Sequence, residues 1–235
     1  MVPGGEPWKD LWTHPYLGAW YPLYLSALRL LWGTSAAMTG WVQGDPQLTA
    51  AWTWIGGLPA PFHIASVLGF AGAVALWYGC LRRLGIGMAG CALAVAWFGL
   101  HPLRVESVAW ATALRDVLSV LLVLVSWRLH LSDREGGWRR WGAPAAFAAA
   151  VLCKSMVFTL APALLLLDVL WRGRPLRSSA IEAIPFLVIG AAGAVVSYLA
   201  YGSVLEGNVR LGGSLLESLP VVGAIQLRYL RLQLC

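Results

Sequence analysis

The thirty residues from Gly142 to Trp171 carry only two charged side chains, Lys154 and Asp168. A helix of that length is about 45 Å long, well beyond the ~30 Å hydrocarbon core of a bilayer. One straight crossing is therefore excluded, and so long a run with so little charge is foreign to a soluble domain. A short hairpin that turns near Cys153-Lys154-Ser155 satisfies both length and hydropathy.

The remaining chain has the same character. Phe62 to Leu81 is apolar and ends in Arg82-Arg83, Leu84 to Leu100 is uncharged, and Val117 to Leu131 is apolar until Arg128. Ile181 to Ser203 carries only Glu182, and Leu219 to Cys235 holds Arg228 and Arg231. Charged residues make up 12% of the chain, against about 25% in a soluble domain. These runs predict an all-α, polytopic membrane helical bundle of about six to seven spanning or half-spanning helices. The formal charge of +6 then speaks to topology and anionic headgroups rather than to nucleic acid. Tryptophans cluster at the ends of apolar runs, as at Trp127, Trp141 and Trp171, which fits interfacial belts. Cys80, Cys91, Cys153 and Cys235 show neither a disulfide framework nor zinc spacing, and no repeat is visible.

Basic residues orient the chain. Nine of the 17 Lys and Arg lie in three loops, at Arg82-Arg83, at Arg128 to Arg140, and at Arg172, Arg174 and Arg177. The positive-inside rule places these loops in the cytoplasm. The segment His101 to Asp116, the turn at Lys154 and the stretch Glu206 to Leu216 then face outward. Residues 1–61 also fall outside, as an outer loop whose Trp/Tyr-rich stretch Tyr16 to Trp32, interrupted by Pro22 and Arg29, reads as an interfacial helix lying on the membrane. Residues 62–235 form the transmembrane helical domain. No signal peptide precedes the outer loop, so an upstream helix is expected, and the apolar end at Cys235 reads as equally abrupt. The expectation is a membrane domain incomplete at both ends.

Five ionisable side chains sit within the 16 residues His101 to Asp116: His101, Arg104, Glu106, Arg115 and Asp116. Ionisable groups at a bilayer edge are costly and usually line a site. Pro102 suits the first turn of a helix. If that helix runs on from Leu103, Arg104 and Arg115 are about three turns apart and share a face.

The order of these pieces resembles the transmembrane O-mannosyltransferase family and its bacterial TPR-containing membrane relatives, which are GT-C-type glycosyltransferases. Pro7-Trp8 with Leu11-Trp12-Thr13-His14 and Gly18 resembles that family's first outer loop. Tyr21-Pro22-Leu23 with Arg29-Leu30 is similar to its R-P-L…F-R-L stretch, and Phe62-His63 to the opening of its next span. The strongest match is His101-Pro102-x-x-x-Glu106-Ser107-Val108-Ala109 followed by Arg115-Asp116-Val117-Leu118. Cys153-Lys154-Ser155 with Asp168 resembles its K-x…D element; Ile184-Pro185-Phe186 and Arg228-Tyr229-Leu230 match weaker positions. The family carries paired acids upstream of the Pro-Trp. This chain begins after that point, so Glu6 or Asp10 would have to substitute, and the chain by itself is expected to be nearly inactive.

The resemblance implies a sugar donor linked to a lipid phosphate, such as a polyprenyl-phosphate sugar, and a protein or other acceptor at the outer face of a bacterial inner membrane. Cations must hold the phosphate as charge builds on the leaving group. A carboxylate must take the acceptor's proton. The cation candidates are Arg104, Arg115 and Lys154, with His101 as a further donor contact; the acid candidates are Glu106, Asp116, Asp10 and Glu6. No metal ligands are read, and no cofactor beyond the donor is implied. Plainer readings stand beside these. Arg115-Asp116 suits a structural ion pair, Lys154 a snorkelling side chain, His101 a helix cap, and Asp168 a structural role on the cytoplasmic side. Arg172-Gly173-Arg174 reads as a topology signal and Asp45 as solvated. Two other classes remain open: a non-catalytic remnant or scaffold of the same fold, and a small transporter with Lys154 and Asp116 as intramembrane charges.

Overall fold

The computed structural model describes residues 8–14, 20–54, 57, 59–132 and 137–205, with isolated helical positions between 220 and 231. All regular structure among the described residues is helical. Ten α-helices follow in order: α1 (Trp8–Thr13), α2 (Pro22–Val42), α3 (Pro46–Trp54), α4 (Ala60–Arg83), α5 (Met88–Leu100), α6 (Arg104–Ala109), α7 (Leu114–His130), α8 (Gly137–Cys153), α9 (Leu160–Leu166) and α10 (Leu176–Leu205). Short 3-10 turns at Ala111–Ala113 and Ser155–Thr159 and a π-helical turn at Leu167–Trp171 join them.

Local chemistry sets several boundaries. Pro22 opens α2, where a missing N–H costs nothing. Asp45, read from sequence as solvated, also caps α3: its Oδ1 accepts from the Gln47 and Leu48 N–H groups at 2.8 and 3.2 Å. α4 closes in a Schellman turn. Gly85 takes φ +81°, the Ile86 N–H donates to the Leu81 carbonyl and the Gly85 N–H to that of Arg82. α8 ends at Cys153 because Lys154 is extended, with φ −153° and ψ 107°. The expected turn in the Gly142–Trp171 run thus falls at Lys154, and the helices on either side of it both pack on α10.

Two apolar clusters hold the helices together. One joins α7, α8, α9 and α10 through Val123, Phe147, Ala150, Leu164 and Phe186. The other brings Leu11, Tyr24, Leu25 and Leu28 of α1 and α2 against Phe62, Leu114 and Cys153. The helix read as Tyr16 to Trp32 therefore starts at Pro22, continues to Val42, and has Tyr24, Leu25 and Leu28 buried by the bundle.

Small residues permit the closest approaches. A Cβ on Gly69 would stand 2.9 Å from Val117 Cγ1, on Gly72 3.3 Å from Leu121, and on Gly79 3.4 Å from Arg128. These partners advance together along both helices, so α4 and α7 run parallel. On α10, a Cβ at Gly193 would overlap Val151 Cγ1. Val151 is β-branched and stiff in its helix, so it cannot swing aside. Gly193→Val is expected to destabilise the protein by about 1–3 kcal/mol despite the better helix propensity of valine. Thermal unfolding in detergent checks this; an unchanged midpoint would mean that α8 and α10 separate freely.

Charge collects at the two ends of α7. At its C-terminal end the Arg83 guanidinium donates to the Arg128 carbonyl at 3.4 Å, and the Trp171 indole to the Leu84 carbonyl at 3.0 Å. The ends of α4, α7 and the 167–171 turn therefore meet at one pole, with Arg172 and Arg174 beside them. Arg115, Asp116 and Lys154 lie at the other pole, about 25 Å away along the 17-residue helix. α4 and the segment Leu176–Ala200 are long and apolar enough to cross a membrane, and only 22% of each apolar window is buried within the protein. Three shorter apolar helices accompany them: Met88–Leu100, Trp141–Cys153 and Ser155–Trp171.

Candidate functional site

The helix expected to carry both Arg104 and Arg115 is two helices. α6 stops at Ala109, Trp110 is extended with ψ 122°, and α7 starts at Leu114. No proline or glycine marks this break; tertiary contacts hold it. The Tyr24 hydroxyl of α2 donates to the Thr112 carbonyl at 2.9 Å, which fastens the turn just before Arg115. His101 is not the N-cap of a continuous helix. It ends α5, and its Nδ1 accepts from the Leu103 N–H at 3.3 Å, shaping the turn into α6.

This bend and the extended Lys154 bring three segments to one cavity of about 320 Å³. Arg104 of α6, Asp116 of α7 and Lys154 supply its charged lining, and Phe70, Phe98 and Leu160 are among its apolar walls. Lys154 Nζ donates to Asp116 Oδ1 at 2.6 Å. Arg115 Nε lies 3.7 Å from the same oxygen, too far for a hydrogen bond. The Lys154 and Asp116 side chains keep 29% and 30% of their surface exposed, so the pair is reachable from the cavity. The Arg104 guanidinium lies 4.8 Å from the Phe98 ring centroid, and that of Arg115 5.5 Å from Tyr21. Both Nε atoms are buried without a hydrogen-bond partner among the described residues. Such buried donors are costly to leave unmet.

The other sequence candidates lie elsewhere. Glu106 is exposed on α6, Asp10 is half-buried on α1, and neither they nor Arg115 and His101 are among the cavity-lining residues. Glu6 lies outside the described residues, as do most positions of the apolar stretch Leu219 to Cys235 and its Arg228-Tyr229-Leu230 motif. Of the acid candidates among the described residues, the structure brings only Asp116 to the cavity.

A second charged cluster occupies the opposite pole. Asp168, buried in the π-helical turn, accepts from His130 Nε2 at 2.8 Å, Arg172 at 2.9 Å and Arg174 at 3.4 Å. Arg174 also grips both oxygens of Glu182, and those hydrogen bonds raise its pKa further above its already high range. Arg172 and Arg174, read from sequence as topology signals, are thus also the countercharges of two carboxylates. The sequence held a signal for this, since an aspartate inside an apolar run demands a cation. One ligand atom from each of His130, Asp168 and Glu182 lies within 4.8 Å of the others, a spacing a metal ion could use. Two guanidiniums already neutralise the two carboxylates, so a divalent cation would have to displace them. The donor set fits an ion-pair knot better than a metal centre.

The chain matches no protein-family model, no curated protein and no solved structure.

Proposed function

We propose that the chain is a polytopic, membrane-embedded glycosyltransferase module of GT-C type. Its donor is a sugar linked to a lipid phosphate, and its acceptor a hydroxyl of a protein or another molecule at the outer face of a bacterial inner membrane. The observation that carries this reading is the cavity in which Arg104, Asp116 and Lys154 meet against apolar walls. A lipid-phosphate ligand needs that combination, with cations for the phosphate and an apolar surface for the chain next to it.

In this reading Arg104 and Lys154 hold the donor phosphate. Asp116, in place of the upstream acids, takes the proton of the acceptor hydroxyl, so the chain itself is proposed to transfer sugar, contrary to the near-inactivity the resemblance implied. The acceptor oxygen bonds to the anomeric carbon of the sugar, the bond from that carbon to the phosphate oxygen breaks, and the electron pair leaves on the phosphate. The cations stabilise the charge that builds there. Purified protein in detergent, supplied with a polyprenyl-phosphate sugar and a peptide acceptor, tests the reading. Sugar transfer supports it; absence of both transfer and donor binding overturns it.

The separation of charge into two poles supports the same topology. Membrane-impermeant maleimide, applied to intact cells making variants with one added cysteine in a background that lacks Cys235 and keeps the buried Cys80, Cys91 and Cys153, is expected to label Glu106→Cys and to spare Arg177→Cys. Equal labelling of the two would remove the proposed orientation. A scaffold reading draws on a different fact: the carboxylate in the cavity is already paired with Lys154. It predicts donor binding without transfer.

A further inference from the structure

We propose that the Asp116–Lys154 ion pair is an exchange switch. A phosphate oxyanion entering the cavity takes Lys154 from Asp116, and the carboxylate becomes a free base only then. This rests on the reading of the cavity as a lipid-phosphate site.

The pair as it stands cannot serve both roles. Lys154 Nζ is 2.6 Å from Asp116 Oδ1, so one of the two cations lining the cavity is spent on the carboxylate that must accept a proton. While that hydrogen bond stands, Oδ1 is occupied by the ammonium and is not open to an acceptor's proton. Four features let the pair open. Both side chains are about 30% exposed toward the cavity, so a ligand reaches them without unfolding a helix. Lys154 occupies the extended residue between α8 and the Ser155–Thr159 turn, and its ammonium is a point charge on a flexible stem with three donors. Arg104, whose buried Nε has no hydrogen-bond partner among the described residues, offers the phosphate a second cation. Arg115 Nε stays 3.7 Å from Asp116 Oδ1, so the carboxylate keeps a nearby countercharge when Lys154 departs. Donor binding and base activation are then one event, and an empty site holds its base inactive.

The test is a binding cycle on the purified protein in detergent, with farnesyl phosphate and inorganic phosphate as probes and isothermal titration calorimetry as the readout. Lys154→Gln is expected to weaken farnesyl phosphate binding about tenfold, the loss of one charge-assisted hydrogen bond. Asp116→Asn is expected to tighten it about tenfold, because Lys154 no longer has to be taken from a competing anion. In the Lys154→Gln background, Asp116→Asn should give no such gain. An equal gain in both backgrounds would reduce the effect to general charge repulsion and overturn the exchange. So would unchanged or weaker binding by Asp116→Asn while the wild-type protein binds. If neither wild type nor Asp116→Asn binds either probe, the phosphate reading itself falls. Coupling seen with inorganic phosphate alone supports the exchange and overturns the lipid as the source of the phosphate. Infrared difference spectra of the wild-type protein give a readout independent of the variants' folding. Farnesyl phosphate should shift a carboxylate stretch as Asp116 loses its ammonium partner, and a bound complex with no carboxylate shift would show that the pair stays closed.

Discussion

In the proposed reaction, replacing Asp116 with Asn is expected to lower sugar transfer by about 10²–10⁴-fold, the contribution of a positioned general base, while phosphate binding tightens about tenfold. The two effects have opposite signs because the carboxylate plays two parts. In the proposal it competes with the phosphate for Lys154, whose ammonium it holds at 2.6 Å, and it takes the acceptor's proton during the reaction. Asparagine keeps the shape of the side chain and can still face Lys154, so the fold has little reason to change. The measurement is transfer from a polyprenyl-phosphate sugar, with donor affinity determined on the same preparation. Loss of transfer and binding together would mark Asp116 as a structural partner of Lys154. Full transfer by the variant would move the base elsewhere, to Glu106 or Asp10 or to a carboxylate outside the described residues.

At the opposite pole, Asp168→Ala is expected to cost about 3–5 kcal/mol, the usual effect of removing one member of a buried charge network. Asp168 is 1% exposed and accepts from His130, Arg172 and Arg174 at once. Alanine would take from the Arg172 and Arg174 guanidiniums the buried carboxylate they share. The knot also ties the end of α7 to the π-helical turn and to α10, so the loss is expected across three elements. For a chain of this size the unfolding midpoint should fall by roughly 6–20 °C. Thermal unfolding in detergent reads it. A midpoint within a degree of wild type would mean that the network is solvated and contributes little, as exposed ion pairs do. Any binding at the proposed phosphate cavity, some 25 Å distant along α7, should persist in the variant at temperatures where it remains folded.

The two predictions differ in how far the sequence could reach them. The excess of apolar residues and the 17 Lys and Arg set against 11 Asp and Glu are local facts. They carry the all-helical class, the end of α4 at Arg82-Arg83 and the segregation of basic loops to one pole. The break at Lys154 is legible for a related reason: thirty apolar residues are too long for one crossing, and the lone lysine is the costliest point to leave in lipid. The local motif around His101 to Asp116 contains Arg104 and Asp116, which line the cavity. It does not show that the chain bends at Trp110, because nothing in the local residue types breaks a helix there. The bend depends on Tyr24, 88 positions away from Thr112 in the chain.

Pairing is where sequence reasoning stops. Asp116 meets Lys154 across 38 residues, and His130 meets Asp168 across another 38. A one-dimensional pattern says that a buried carboxylate needs a cation, but several arginines and one lysine meet that need equally well. Which of them does so depends on the crossing and depth of the helices. The glycines that let α4 approach α7 and α10 approach α8 set those distances to within a methyl group. The sequence by itself therefore determined that this chain is helical and where its charged ends lie, since hydropathy and charge act residue by residue. Only the tertiary structure decided that Arg104, Asp116 and Lys154 share one cavity and that Arg172 and Arg174 belong to a knot, since those contacts exist only once the helices have packed.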